Sequence, residues 1–224
     1  MDKTLEEMLV EQCAPTLAGV KPANLFRCPD HAALYHSVQE WDNRLRASGI
    51  RIRVVKRCRR THACLIYVCR WDWICRTLAQ ADTAEFLRTN GYDLSKGTES
   101  VLCQLSRRLC LQEDFPHEIG VFLGYPLHDV IGFIENRGQN YSCCGHWKCY
   151  GDADRAQRTF DVYKRCTAVY KRMYRRGVPL MKLVVAAEWR TGLQTGRICA
   201  ILNDYQGSPD RRAEKRILFR DPLT

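Results

Sequence analysis

The segment Ala63 to Cys69 (ACLIYVC) is almost wholly apolar, and it follows Ile50 to Cys58, where Ile50, Ile52 and Val54 alternate with Arg51, Arg53 and Arg57. A period of two puts the isoleucines and the arginines on opposite faces of a strand, whereas an unbroken apolar run of this length fits a strand buried inside a sheet. The pair predicts an antiparallel hairpin with its second strand innermost. The rest of the chain then has to supply cover for that strand.

Helical spacing supplies it. Thr4 and Glu7 stand at capping-box separation before Leu5, Met8 and Leu9, predicting a helix from Leu5 to about Cys13 that Pro15 ends. Asp30 is the expected cap of a second helix carrying Leu34, Val38, Trp41 and Leu45 on one stripe, with Gly49 at its end. Residues 72–90 and 99–111 have helical spacing, separated by Gly91 and Gly97, and are expected to cover one face of the sheet. Further strands are expected at Glu118–Leu123, near Cys143–Tyr150 and at Leu180–Ala187, with a short helix after Tyr125-Pro126. Asp152 is placed to cap a long helix from Ala153 to Arg176. Ala14 to Phe26 (APTLAGVKPANLF) has neither period and is expected to be a folded-over loop, of the kind that often carries function. The predicted class is α+β: a single domain over 1–187 with a mainly antiparallel or mixed sheet of four to five strands covered by helices, and a C-terminal extension over 188–224.

The length of 224 residues suits one domain, and no run approaches the roughly 18 apolar residues that cross a bilayer. The start MDKTLEEMLVEQ is amphipathic and does not have the pattern of an export signal, so a cytoplasmic, reducing location without membrane association is expected. Thirteen cysteines is an odd number, which excludes a complete disulfide framework and predicts free thiols serving as small apolar residues. The net charge of +10 opens a nucleic-acid reading. The arginines of 51–60 and the basic residues of the long helix, among them Lys164, Arg165, Lys171, Arg172 and Arg176, would form its footprint. No helix-turn-helix, zinc-finger or RNP signature accompanies them.

Three runs, APTLAGVKPANLF, FPHEIGVFLGYPLHDVIGFIENRG and CCGHWKCYGD, in that order, resemble a bacterial family described only as domain of unknown function 3793. The resemblance spans roughly residues 5 to 187. It implies one family unit, and it marks the polar residues inside the three runs as the first places to look for a site. It implies no reaction. Ala14, His146 and Cys149 are positions where this chain departs from the family's run of residues.

Three constellations within these runs, and one outside them, can carry chemistry. Thr16, Gly19, Lys21 and Asn24, with Lys148, form a cationic, donor-rich set suited to the phosphate or carboxylate of a small anionic ligand, with Tyr125 at the mouth of a crevice. This is the leading expectation. Cys144, His117 and Glu118 offer a thiol, a base and an orienting carboxylate. Cys143, Cys144, His146 and Cys149 carry soft donors, but at a spacing unsuited to a metal, so no metal ligands are assigned. Trp71 and Trp73 offer rings for a flat ligand. Neither GxxxxGK[ST] nor GxGxxG occurs, so no nucleotide-binding class is signalled, and cofactor and oligomeric state are left open. The function expected is binding, with conversion as a further possibility, of a small anion where loops 14–26, 116–126 and 143–152 meet. The alternative is a basic module for nucleic acid or an acidic protein.

Overall fold

The computed structural model describes residues 3–112 and 114–186. The C-terminal extension expected over 188–224 therefore lies outside the described residues, as does the end of the strand expected at 180–187.

Three antiparallel strands, β1 (Ala23–Pro29), β2 (Ile50–Cys58) and β3 (Ala63–Arg70), form the main sheet in the order β1-β3-β2. The apolar run is the central strand, buried at every position, as its composition requires. Its side chains divide by parity. Cys64, Ile66 and Val68 join a core with α1 (Leu5–Leu17), α2 (Leu34–Arg46), α8 (Ala153–Arg175) and α9 (Leu180–Leu183). Leu65, Tyr67 and Cys69 join another with α3 (Trp71–Ala79), α4 (Ala81–Thr89), α5 (Gly97–Leu111), α6 (Ile119–Phe122) and α7 (Leu127–Glu135). Helices thus cover both faces of the sheet.

The predicted caps form. Thr4 accepts from the Glu7 amide while the Glu7 carboxylate accepts from that of Thr4, and Asp152 Oδ1 accepts from the Arg155 amide at 2.9 Å. Asp30 does not cap α2, which begins at Leu34; its carboxylate is held by Arg57 instead. Residues 72–90 divide at Gln80, whose extended backbone ends α3 and starts α4.

The expected four- to five-stranded sheet is corrected to three strands plus a separate two-residue hairpin, β4 (Cys143–Cys144) and β5 (Lys148–Cys149). Glu118–Leu123 is helical: Ile119, Gly120 and Val121 donate to the carbonyls of Pro116, His117 and Glu118, closing tight turns around α6. Every residue of α6 is buried, and an apolar run without periodicity does not distinguish a buried turn of helix from a strand. Leu180–Leu183 is likewise a helical turn. The supposed loop 14–26 splits into the end of α1, with Pro15 inside its last turn, and the start of edge strand β1. Proline is tolerated there because it removes a single helical donor and the turn closes on the following amides.

Candidate functional site

The route from α1 into β1 places the site's central residue. The Pro15 carbonyl accepts from the amides of both Val20 (2.9 Å) and Lys21 (3.1 Å), and Gly19 reverses the chain at φ +75°. Arg70, at the end of the central strand and 1% exposed, locks this turn by donating to the carbonyls of Thr16 (2.7 Å), Leu17 (2.9 Å) and Val185 (2.8 Å). A cation at a helix C-terminus is favoured by the helix dipole. Burial still pulls the guanidinium down to about 10.

Lys21 emerges from this turn only 3% exposed. Among the described residues its ammonium has no hydrogen bond and no ion pair; it lies over the rings of Tyr125 at 5.3 Å and Tyr163 at 5.7 Å. Burial brings its pKa from 10.5 to about 8, with only a slight opposing effect from the Cys13 thiol. That thiol is itself pushed far up by burial, so it provides no counter-charge. An uncompensated buried lysine is rare, because desolvating an ammonium is costly.

The ammonium borders a cavity of about 500 Å³ whose wall includes Glu11, Pro15, Asn24, Tyr125, His146, Lys164 and Lys171. Lys164, Thr167, Ala168 and Lys171 follow one another at helical spacing along α8 and line one side. Glu11 is the acidic exception, bonded by Lys3 and 3.4 Å from Lys171. Its partial burial favours the neutral acid, but those two lysines together hold its carboxyl below the usual range. His146, wedged between the rings of Phe160 and Tyr163, is held down to about 4 by burial and then by the charges of Lys21 and Lys164. It is a neutral imidazole at physiological pH.

Of the residues expected to bind a ligand, Lys21, Asn24 and Tyr125 meet at this cavity. Thr16 does not reach it. It is wholly buried and donates to Asn24 Oδ1 at 2.7 Å, holding that carboxamide by its oxygen and leaving the N–H2 end for a ligand. Lys148 is elsewhere, donating to the Gly138 carbonyl at 2.8 Å and lying over the rings of Phe133 and Tyr141. The run CCGHWKCYGD therefore reaches the cavity through His146 rather than Lys148. Trp71 packs against the core of the opposite face of the sheet, with Arg51 and Arg53 over its ring, and Trp73 lies by Arg70.

Cys144, His117 and Glu118 are not drawn into one hydrogen-bonded set. Glu118 accepts from the Tyr92 hydroxyl (2.9 Å) and from Arg108 (3.3 Å) in a buried cluster, and the exposed His117 ring packs on Phe133 at 4.9 Å. Burial raises the Cys144 thiol, with Lys148 opposing. Cys143 and Cys149 face each other across the hairpin. Among the described residues no group of three or more His, Cys, Asp or Glu side chains is arranged to hold a metal ion, and no helix is long and apolar enough to cross a membrane. All twelve described cysteines are free thiols.

On its far side Tyr125 stacks on Trp147 (5.2 Å) and borders a second cavity of about 430 Å³. The hinge of that wall is Asp129, 2% exposed, whose carboxylate accepts from Trp147 Nε1 (2.8 Å) and the amides of Tyr150 (2.7 Å) and Gly151 (3.1 Å). One buried carboxylate of the second family-like run thus fixes the third. Sequence reasoning missed Asp129, Glu11, Tyr163 and the cavity-lining role of Lys164 and Lys171. The 164–167–168–171 spacing marks one face of α8, but nothing in that spacing shows that α1 packs beside it.

No curated protein and no solved structure gives a match to this chain. The family model described as "Protein of unknown function (DUF3793)" matches residues 9–184, from the first turns of α1 to just past α9 and so across all three runs that build the cavity, and the chain belongs to that family.

Proposed function

We propose that this chain binds a small anion, a carboxylate or phosphate compound, in the cavity beside Lys21. The observation that carries this reading is the buried Lys21 ammonium, without a hydrogen bond or counter-ion among the described residues and bordering a cavity that also presents Lys164 and the Asn24 carboxamide. A charge held at such cost is compensated when an acceptor enters. The site has positive excess, with three lysines against Glu11, and its aromatic walls exclude water from part of the ligand. Among the described residues, Lys171 alone of these lysines has an acid partner at the cavity.

Calorimetric titration with inorganic phosphate, sulfate and a short dicarboxylate tests this. Binding is expected for the wild-type protein. Lys21→Met should weaken it by more than about tenfold, the usual consequence of removing one partner of a desolvated charge pair. Equal affinity in the two proteins would refute the assignment.

A further inference from the structure

We infer that Lys21 is a nucleophilic amine that captures the carbonyl carbon of a small 2-oxo acid as an imine, the acid's carboxylate being held by Lys164 on the same cavity wall. This rests on the anion-binding reading and adds a covalent step to it.

The argument begins from what surrounds the amine. Among the described residues, the polar groups around it include Cys13 and Gln12 from α1, Asn24 from β1, Tyr125, His146 from the hairpin turn, and Tyr163 and Lys164 from α8, and the cavity's wall carries one carboxylate, Glu11. Glu11, across the cavity, is engaged by Lys3 and Lys171. The two rings lie at 5.3 and 5.7 Å, near the outer limit for cation–π attraction, so they compensate little of the lost hydration. An amine in this setting sheds its proton readily, and a desolvated lysine beside other cations is the arrangement that makes an amine a nucleophile near neutral pH. With a pKa of about 8, roughly a tenth of Lys21 is free amine at pH 7, against about one in three thousand for an ordinary lysine.

The remaining groups fit the chemistry of imine formation. The amine lone pair forms the C–N bond, the carbonyl oxygen takes up a proton and the nitrogen gives one up. The resulting hydroxyl then takes up a second proton and leaves as water while the nitrogen lone pair closes the C=N bond, and loss of the second nitrogen proton gives the neutral imine. No oxidant or reductant is required. Both proton transfers need a neutral group beside nitrogen and oxygen, and His146 borders the same cavity as an uncharged imidazole without a hydrogen bond among the described residues. Lys164 lines the same cavity as a cation for a carboxylate beside the carbonyl, which favours a 2-oxo acid over a simple aldehyde.

Reductive trapping decides the matter. The full chain is incubated at pH 8 with pyruvate, 2-oxobutyrate or phenylpyruvate and sodium cyanoborohydride, then digested and mapped by mass spectrometry, with phosphate binding measured in parallel. The expected result is a secondary amine at Lys21 heavier by the mass of the 2-oxo acid less one oxygen. Its yield should exceed that of any exposed lysine by roughly a hundredfold, the ratio of free amine at that pH. Lys21→Arg should lose this adduct, and phosphate should suppress the adduct in the wild-type protein. Phosphate binding with no preferential labelling of Lys21 by any of the three acids would overturn the imine while leaving the anion site standing. Absence of both binding and labelling would overturn both.

Discussion

Replacing Lys21 by methionine should stabilise the protein while weakening the proposed anion binding. Lys21 sits with its ammonium buried and its pKa brought from 10.5 to about 8 by desolvation. At about 1.4 kcal/mol for each pH unit, that depression is a penalty of about 3 kcal/mol on the folded state at neutral pH. Methionine fills the volume of the lysine stem and needs no hydration, but it forfeits weak attraction to the rings of Tyr125 and Tyr163, of order 1 kcal/mol. The expected net gain is about 2 kcal/mol, or about 4–8 °C in Tm for a domain of this size. The gain has a pH signature. Between pH 8 and 10.5 the unfolded chain holds the Lys21 proton and the folded chain does not, so the stability of the wild-type protein rises relative to the variant across that window. Urea denaturation of both proteins from pH 6 to 10.5 should show the difference largest below pH 8 and vanishing near 10.5. A variant less stable than wild type, with a parallel pH profile, would refute the claim that Lys21 is an uncompensated charge.

Three further outcomes follow from the same geometry. Anion affinity should be level through neutrality and fall as pH rises through about 8, where Lys21 loses its proton, which calorimetry across pH 6–9.5 would check. Asp129→Asn should cost about 1–3 kcal/mol in urea unfolding and shift tryptophan emission, because an amide N–H2 cannot accept the Trp147 indole proton. An unchanged unfolding midpoint would remove Asp129 as the anchor of the hairpin. Arg165→Gln with Arg176→Gln, exposed on α8 and at its C-cap, should leave phosphate binding untouched; steeply salt-dependent RNA binding by the wild type that the double variant loses would favour the nucleic-acid alternative.

What was legible in the sequence is what neighbouring residues settle among themselves. The Thr4–Glu7 box and the Asp152 cap form within one helical turn, and the hairpin of Ile50–Cys58 with Ala63–Arg70 joins segments a few residues apart. The two strands differ because Arg51 and Arg53 keep β2 partly exposed, whereas ACLIYVC tolerates no exposed face. Lys21, Asn24 and Tyr125 stood out in the sequence as polar residues that periodicity left unexplained, and they line one cavity. Where burial is complete, periodicity disappears, and so α6 and the α9 turn gave no local sign of being helices rather than strands.

Tertiary structure alone decided which polar residues share a wall. Lys148 was expected beside Lys21, yet two residues decide the outcome: His146, in the turn of the β4–β5 hairpin, borders the cavity, while the Lys148 side chain is held by the Gly138 carbonyl. Lys164 is indeed exposed, as a solvated face would be, but the packing of α8 along α1 sets Lys171 beside Glu11 and brings both lysines to the rim of the cavity. The state of Lys21 is the clearest case. A lysine in a Gly- and Pro-containing segment reads as an exposed cation, and nothing within a few residues alters that. Its burial is imposed by Tyr125 and Tyr163, contributed from more than a hundred residues away, and its proton affinity is set by the water those rings displace. Desolvation depends on three-dimensional enclosure and has no local sequence signature.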